Sequence, residues 1–322
     1  MREIKITKNE AQQRMDRFLK KYMPEANTGF IYKMLRKKRI KLNGVRANPS
    51  DLLKVGDSIQ MYLGEDTLKN LKGNQQIAMI KGKIDIIYED KNLLLVNKPK
   101  GLLVHGDDKE KIDTLINRVY YYLNKKGFFN PLKENTFSPA CCNRLDRNTS
   151  GLVIIAKNYP SLQMINEMIR KNKIQKKYIA LVKGKITQKK EIKGYLVKEI
   201  KNNTVKIFSE KKKGAKFIHT RYQPLKYNED FTLLEIDLVT GRSHQIRAHL
   251  ASEGFPIVGD WKYGNFKVNK KFFQLNSQFL HAYLVHFTDC PKELSYLEGK
   301  IFKADLSKNL KEIIQFFSWE DF

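Results

Sequence analysis

Apolar residues in the first part of the chain recur at the spacing of short amphipathic helices, one around Met15 and another around Ile31. The Asn-Gly pair at 43–44 is typical of a tight turn between strands, and Val-Gly-Asp at 55–57 predicts a further turn into a strand. The range 1–63 is therefore predicted to form a small α/β module of two helices and a small sheet. Polar sequence with three glycines predicts a linker at 64–82.

From residue 83 onward, runs of β-branched and aromatic residues outnumber helical patterns. One helix is predicted at 162–170, and another opens at Ser243 and ends before Gly254. Because strands mostly follow strands, the range 83–322 is predicted to be an α+β domain with a mixed, mainly antiparallel sheet rather than a doubly wound parallel one. The predicted strands are 84–88, 93–97, 152–156, 178–182, 204–208, 217–223 and 231–239.

The composition is that of a folded protein with a large excess of positive charge. Hydrophobic residues make up 41% and aromatic residues 11% of the 322 positions, which is enough for a buried core. The formal net charge of +27 favours a polyanionic partner, which could be RNA, DNA or an anionic membrane. Since lysine greatly outnumbers arginine, a general bias toward lysine is the alternative.

Membrane insertion, secretion and metal binding are not expected from the sequence. No apolar run reaches the roughly 18 residues needed to cross a bilayer, and the first residues lack the apolar stretch of a signal peptide. Cys141, Cys142 and Cys290 have no metal-ligand spacing and are expected to be reduced thiols. His244 and His249 do not share a helical face, and no glycine-rich nucleotide motif is present. We therefore expect a cytoplasmic protein without metal, cofactor or membrane contact.

A run of four basic residues, Arg36, Lys37, Lys38 and Arg39, directly follows the second predicted helix. Basic side chains fixed at a helix end suit contacts with nucleic-acid phosphates. A solvated helix terminus is an equally good interpretation, because cations also favour the C-terminal end of the helix dipole. The pattern alone leaves both interpretations open.

Three segments around this basic run resemble an S4 RNA-binding domain in their order and spacing. They are Arg-Met-Asp-Arg-Phe-Leu at 14–19, Met-Leu-Arg-Lys-Lys-Arg-Ile-Lys-Leu-Asn-Gly at 34–44 and Val-Gly-Asp at 55–57. The resemblance implies a structured RNA as the partner and the four basic residues as its contacts. Because S4 modules occur in several RNA enzymes, it predicts the partner better than the reaction.

Asp146 lies among polar, turn-forming residues shortly before the apolar strand predicted at 152–156. A carboxylate held at the edge of a sheet can face a cleft, which is a useful position for a catalytic group. For an isolated aspartate, pairing with Arg144 or Arg147, or capping of a turn, is the more common role. Wider motifs are needed to decide between these interpretations.

The segment Asn-Arg-Leu-Asp-Arg-Asn-Thr-Ser-Gly-Leu at 143–152 is similar to the signature of the Rlu family of RNA pseudouridine synthases, which is His-Arg-Leu-Asp followed by Thr-Ser-Gly-Leu and an apolar run. Segments at 95–105, 176–184 and 241–250 resemble further family motifs, with Gly-Asp at 259–260 and Tyr-Gly at 263–264 following in order. With the S4-like module, the resemblance covers most of the chain. It implies a pseudouridine synthase fold and an isomerase that needs no cofactor.

The resemblance also implies roles for three residues. Asp146 matches the catalytic aspartate, which could add to the ribose C1′ as a nucleophile or remove the C2′ proton as a base. Arg247 matches the arginine that pairs with this aspartate and favours its ionised form. Tyr178 matches the tyrosine that stacks on the target base after that base has left the RNA stack.

Arg144, Arg147 and Arg242 are candidates for holding the RNA around the flipped nucleotide. Asn143 stands where the family usually has His, and Ser243 where Thr is more frequent, which affects local loop geometry or target choice. Large-subunit (23S) ribosomal RNA is the expected substrate of a monomeric enzyme. A synthase directed at transfer RNA, and a non-catalytic RNA-binding or ribosome-assembly protein, are the alternatives.

Overall fold

The computed structural model describes residues 1–73, 77–107, 110, 112–132, 134–199, 202–271, 275 and 277–319. The chain divides into two compact units. Unit 1 comprises Met1–Gly82, Ile116–Ala140 and Ala156–Met164. Unit 2 comprises Lys83–Leu115, Cys141–Ile155 and Ile165–Phe322. Within the described ranges, none of the helices combines the length and the apolar character needed to cross a membrane.

Unit 1 begins with two helices and four short strands, which lie where the hydrophobic pattern predicted two helices and a small sheet. Met15, Phe18, Ile31 and Ile59 are buried together in one core. The elements, in chain order, are β1 (Arg2–Lys5), α1 (Met15–Tyr22), α2 (Thr28–Arg36), β2 (Ile40–Leu42), β3 (Val45–Arg46), β4 (Ser58–Met61) and α3 (Glu65–Lys72). The strands form an antiparallel sheet in the order β1-β4-β2-β3.

The range predicted as a linker, 64–82, contains helix α3. Its Leu68 is 7% exposed and joins the core of unit 1. Acidic Glu65 and Asp66 occupy the first turn, where a negative charge favours the helix dipole. Because a single side chain of the helix is buried, the segment reads as polar and gives little periodic signal.

The rest of the chain contributes most of the strands. The elements, in chain order, are β5 (Asp85–Glu89), β6 (Leu93–Lys98), α4 (Leu115–Lys125), β7 (Ala140–Cys141), β8 (Ser150–Ala156), α5 (Tyr159–Arg170), β9 (Ile174–Lys183), β10 (Lys190–Glu199), β11 (Thr204–Phe208), β12 (Lys216–Tyr227), β13 (Phe231–Leu238), α6 (Gln245–Ser252), α7 (Phe266–Lys271), β14 (Leu280–Phe287), a 3₁₀ helix (Lys292–Leu297), β15 (Ile301–Lys303) and α8 (Lys308–Phe316).

Among the described residues, these strands form one sheet in the order β11-β10-β12-β13-β9-β14-β8-β6-β5, with β15 beside β14 and β7 beside β8. Neighbouring strands from β11 to β14 are antiparallel, whereas β14 and β8 run parallel. The prediction of a mixed, mainly antiparallel sheet is confirmed. Gly151 on β8 has φ +114°, and a Cβ there would lie 2.2 Å from the carbonyl oxygen of Ala282, so the close approach of β14 requires glycine.

Several elements were not predicted, and three of them show different reasons. In β14 six of the eight residues are buried, so the strand lacks the alternation that marks one buried face. In β10 four exposed lysine and glutamate residues make the sequence read as polar, so the buried Ile192 and Leu196 give no clear strand pattern. Helix α4 is rich in tyrosine and β-branched residues, although its Leu115, Val119 and Leu123 recur every four residues and are fully buried.

Candidate active site

Asp146 lies in the loop between β7 and β8, and hydrogen bonds tie this loop to β8. The Cys142 amide donates to the Ile154 carbonyl at 2.7 Å, and the Thr149 amide donates to the Asp146 carbonyl at 3.1 Å. Asn143 bonds β8 through both ends of its amide, since its Nδ2 donates to the Leu152 carbonyl at 3.1 Å and its Oδ1 accepts from the Ile154 amide at 2.8 Å. Asn143 therefore acts as a brace between the loop and the strand.

Arg247, on helix α6, bridges two carboxylates. Its Nη1 donates to Asp146 Oδ2 at 2.8 Å, while its Nε and Nη2 donate to the two oxygens of Asp260 at 2.7 and 2.9 Å. The Arg247 side chain is 7% exposed, that of Asp260 is fully buried, and that of Asp146 is 25% exposed. The expected pair of Asp146 and Arg247 is thus present, with the Asp146 carboxylate at the accessible end.

Asp146, Arg247 and Asp260 form a triad of charged side chains. Burial opposes the positive charge of Arg247, but the hydrogen bonds and negative charges of Asp260 and Asp146 raise its pKa above the ordinary value. Burial likewise opposes the negative charge of Asp260, yet the hydrogen bonds and charge of Arg247 lower its pKa. Arg247 therefore remains a cation, and its positive charge lies directly beside the Asp146 carboxylate.

Asp260 is itself held by the backbone of the following turn. Its Oδ1 accepts hydrogen bonds from the amides of Lys262 at 2.9 Å and Tyr263 at 3.2 Å. The Asn269 side chain donates to the Asp260 carbonyl at 2.9 Å. A Cβ at Gly264 would lie 2.0 Å from that same carbonyl oxygen, so the turn closes only with glycine at this position.

Tyr178 lies in the middle of β9, opposite Ile236 of β13 and Ala282 of β14. It is 5% exposed. Burial raises the pKa of its hydroxyl, and the negative charge of the nearby Asp146 raises it further. The phenol therefore stays protonated at neutral pH. Of the three residues expected at the site, Asp146 and Arg247 are in direct contact, and Tyr178 is close enough to interact with the Asp146 charge.

Lys98 is fully buried at the end of β6, and the sequence did not single it out. Its Nζ donates to three backbone carbonyls, those of Pro99 at 2.9 Å, Leu102 at 2.8 Å and Arg147 at 3.0 Å. Burial lowers the pKa of Lys98 to about 7, while the Asp146 charge favours its protonated form. Because Arg147 follows Asp146 directly, Lys98 holds the backbone of the loop that carries Asp146 in place.

The basic residues expected to contact RNA are exposed, as such contacts require. In unit 2 Arg144, Arg147 and Arg242 are all exposed, and Arg147 forms an ion pair of 3.4 Å with Asp107. None of the three touches Asp146 through a hydrogen bond among the described residues. In unit 1 the four residues from Arg36 to Arg39 are also exposed. Arg36 lines a groove of about 330 Å³ together with Tyr32, Lys33, Leu35, Gly29, Arg46, Ala47, Asn48 and Pro49.

The sequence missed part of the site, chiefly Asp260 and Tyr263. Both residues belong to the Gly-Asp and Tyr-Gly pairs at 259–264, which resembled family motifs but implied no role for either side chain. The start of helix α6 also differs from the prediction. It begins at Gln245, because the Gln245 side chain accepts from the Arg242 amide at 3.1 Å and closes a turn before the helix.

The chain is similar to known proteins of one family. A family model described as RNA pseudouridylate synthase matches residues 92–252. Ribosomal large subunit pseudouridine synthase C of Buchnera aphidicola is 36% identical over 296 residues, which are 88% of this chain and 88% of that protein. An uncharacterized RNA pseudouridine synthase of Mycoplasma capricolum is 33% identical over 302 residues, covering 92% of this chain and 95% of that one.

The fold has a counterpart among solved structures. The structure of human RNA Pseudouridylate Synthase Domain Containing 4 matches with a TM-score of 0.55 and 23% sequence identity, covering 72% of this chain and 92% of that chain. At this identity the likeness concerns the fold alone. Together with the sequence relatives and the matched family model, these findings show that the chain belongs to the RNA pseudouridylate synthase family, whose members isomerise uridine to pseudouridine.

Proposed function

We propose that this protein isomerises specific uridines of large-subunit (23S) ribosomal RNA, with Asp146 as the catalytic residue. The observation that carries the proposal is the 2.8 Å hydrogen bond from Arg247 to a carboxylate that is still 25% exposed. An ionised carboxylate at an accessible position is what either route to pseudouridine requires. The name Ribosomal large subunit pseudouridine synthase C, borne by relatives from Buchnera aphidicola and Rickettsia felis, supports the choice of RNA.

The proposed reaction begins with the N1 glycosidic bond. Asp146 either adds to the ribose C1′ or removes the C2′ proton, and uracil departs with the bonding electrons. The detached uracil rotates and its C5 bonds to C1′, which releases the Asp146 oxygen from C1′ in the first route and is accompanied by return of the proton to C2′ in the second. The C5 proton is then lost and N1 is protonated, so pseudouridine has the same atoms as uridine and no reductant, oxidant or cofactor is consumed.

Arg247 is proposed to act on the Asp146 carboxylate, and Tyr178 on the uracil. Arg247 fixes the Asp146 carboxylate through a hydrogen bond, and Asp260 holds Arg247 in place through two more. Tyr178 is proposed to support the uracil ring through its rotation, with a neutral hydroxyl that could assist loss of the C5 proton. Since Tyr178 is 5% exposed, it would offer the base an edge of its ring until the nucleotide is seated.

Basic residues outside the triad are proposed to bind the RNA backbone. Arg144, Arg147 and Arg242 would hold phosphates around the flipped nucleotide. The range 1–63 is proposed to act as an S4-like module with Arg36, Lys37, Lys38 and Arg39 as contacts. The basic groove beside Arg36, with the exposed ring of Tyr32 in its lining, supports this assignment. We further propose that the catalytic domain begins near residue 83 and that the enzyme acts as a cytoplasmic monomer.

The test is to incubate the purified protein with 23S ribosomal RNA and, in parallel, with transfer RNA, without metal or nucleotide, and to map pseudouridine at single-nucleotide resolution. The wild type should form pseudouridine, and Asp146→Asn should not, although it should bind the RNA as tightly. Glu167→Gln, at an exposed position on α5, is the matched control and should retain full activity. Undiminished activity of Asp146→Asn would refute the catalytic assignment, and modification of transfer RNA alone would refute the choice of substrate.

A further inference from the structure

His244 occupies an unusual backbone position immediately before helix α6. Its φ of 56° lies in the left-handed region, which residues other than glycine seldom adopt. Such conformations persist where the surroundings hold them, and they cluster at functional sites. The side chain of His244 is 12% exposed. The backbone thus turns a largely buried imidazole toward the interior, where Tyr263 and Asp146 lie.

One nitrogen of this imidazole is engaged by Tyr263. The distance from His244 Nδ1 to the Tyr263 hydroxyl oxygen is 2.9 Å, and that oxygen also accepts a hydrogen bond of 2.8 Å from the Val205 amide. With a lone pair occupied by Val205, the tyrosine hydroxyl is free to donate its hydrogen to Nδ1. Nδ1 is then the acceptor nitrogen, and Nε2 carries the hydrogen of the neutral ring.

The protonated nitrogen faces the candidate catalytic residue. His244 Nε2 lies 3.9 Å from Asp146 Oδ2, the same oxygen that accepts the 2.8 Å bond from Arg247. Among the described residues, none donates a hydrogen bond to Asp146 Oδ1. Contacts of this kind are often long in the free enzyme and shorten when substrate is bound.

Burial is the main reason that the His244 imidazole stays neutral. Burial lowers the pKa of His244, the Asp146 carboxylate opposes this shift, and the cations Arg247 and Lys262 lower the pKa further, with Asp260 opposing them. A neutral ring with a hydrogen on Nε2 can orient the carboxylate without competing with Arg247 as a cation. At 3.9 Å the ring is not yet hydrogen-bonded to Asp146, and it would donate to the carboxylate once the contact shortens.

We propose that His244 is a positioning residue that, together with Arg247, anchors Asp146 Oδ2 and so assigns the reaction to Oδ1. The relay runs from the Val205 amide through the Tyr263 hydroxyl to His244 and ends at Asp146. This inference rests on the proposed catalytic role of Asp146. Beyond that role, Oδ1 is assigned as the oxygen that reacts, and His244 and Arg247 as the residues that fix the plane of the carboxylate. Oδ2 is saturated by two donors once substrate is seated, which leaves Oδ1 for C1′ or for the C2′ proton.

Two substitutions of His244 separate the effect of its side chain on Asp146 from the effect of its left-handed backbone conformation. Asn tolerates the left-handed conformation well, but its amide is too short to reach Asp146. Gln can place its amide nitrogen near the Nε2 position. We expect His244→Asn to lower the single-turnover rate roughly 10- to 100-fold with unchanged affinity for RNA, since a small misplacement of a catalytic group has an effect of this size. His244→Gln should recover to within about threefold of the wild type.

Tyr263→Phe tests the relay, because it removes the hydroxyl and keeps the ring that lies 5.2 Å from the Arg247 guanidinium carbon. In the wild type, ¹⁵N NMR of labelled histidine should show His244 Nδ1 as the unprotonated nitrogen. In Tyr263→Phe the other tautomer should appear, and the rate should fall while RNA affinity stays the same. His286→Gln, on β14, is a matched histidine control that should leave the rate unchanged.

The outcomes distinguish this inference from the proposed function. If Asp146→Asn abolishes activity but His244→Asn is as fast as the wild type, Asp146 is catalytic and the positioning role of His244 is wrong. A protonated Nδ1 in the wild type would overturn the relay whatever the rates. If the wild type forms no pseudouridine in any RNA, the proposed function fails and the inference fails with it.

Discussion

The substitution Asp260→Asn removes the buried charge behind Arg247 while leaving the shape of the side chain almost unchanged. In the wild type both Asp260 oxygens accept from Arg247, at 2.7 and 2.9 Å, and Oδ1 also accepts from two backbone amides. The asparagine NH₂ group must replace either Oδ2, where it faces the Arg247 Nε donor, or Oδ1, where it faces Arg247 Nη2 and the two backbone amides. Either orientation places donor against donor and leaves the Arg247 cation with Asp146 as its remaining carboxylate partner among the described residues.

The size of the effect follows from burial. Because Asp260 is fully buried and Arg247 is 7% exposed, solvent cannot replace the lost interaction. Breaking a buried ion pair from one side costs about 3–5 kcal/mol, and the retained amide hydrogen bonds place Asp260→Asn near the lower end of that range. At 1.36 kcal/mol per factor of ten, about 3 kcal/mol corresponds to a change of roughly 150-fold in the unfolding equilibrium.

The effect should also depend on pH. The pKa of Asp260 lies below its ordinary value of 3.8 in the folded protein, so its stabilising contribution is complete above that value and is lost as the pH falls through the folded pKa. Urea denaturation at pH 7 should show the full difference between wild type and Asp260→Asn, and the difference should shrink at acid pH. Glu167→Gln, which breaks an exposed pair with Lys171, is the control that should leave the midpoint unchanged. Equal midpoints for Asp260→Asn and wild type at pH 7 would refute the reasoning.

Three further changes test other parts of the structure. Burial lowers the pKa of Lys98 from 10.5 to about 7. As the pH rises between these values, the free energy of unfolding of the wild type, measured in urea, should increase by about 1.4 kcal/mol per pH unit relative to Lys98→Met. Parallel plots of this free energy against pH for the two proteins would contradict the expectation. Gly151→Ala, whose Cβ would meet Ala282, should lose about 3 kcal/mol or more of stability, whereas Gly241→Ala, with open space around it, should melt like the wild type. Arg36→Ala should weaken RNA binding and reduce the slope of log affinity against log salt by about 0.9; an unchanged slope would exclude a phosphate contact.

The sequence predicted the strands best where one face is buried. The strand predicted at 204–208 coincides with β11, in which Val205 is buried, the next residue, Lys206, is exposed and the others are half-buried. In contrast, β14 is buried on both faces, and its residues share the composition of a helix or a strand. Its identity depends on strands β9 and β8, which lie far away in the chain and pair with it on either side.

The sequence predicted those residues of the candidate site that lie in recognisable motifs. The pairing of Asp146 with Arg247 was expected from the family resemblance, and the 2.8 Å contact is present. The role of Asp260 as a second carboxylate could not be predicted, because it depends on both ends of the Arg247 guanidinium being occupied. Lys98 was missed for a similar reason, since lysine in a strand is usually exposed and its partners here are backbone carbonyls that no residue type reveals.

The place of β14 in the sheet has a consequence for how the enzyme matures. Strands β8 and β9, which carry the Asp146 loop and Tyr178, are not neighbours, because β14 lies between them and is paired to both. At about 5–20 residues per second, a ribosome needs roughly 7–30 s after completing β8 to add the intervening stretch up to β14. Because β14 lies between them in the sheet, we expect the Asp146 loop and Tyr178 to come together only after Leu280–Phe287 has been synthesised.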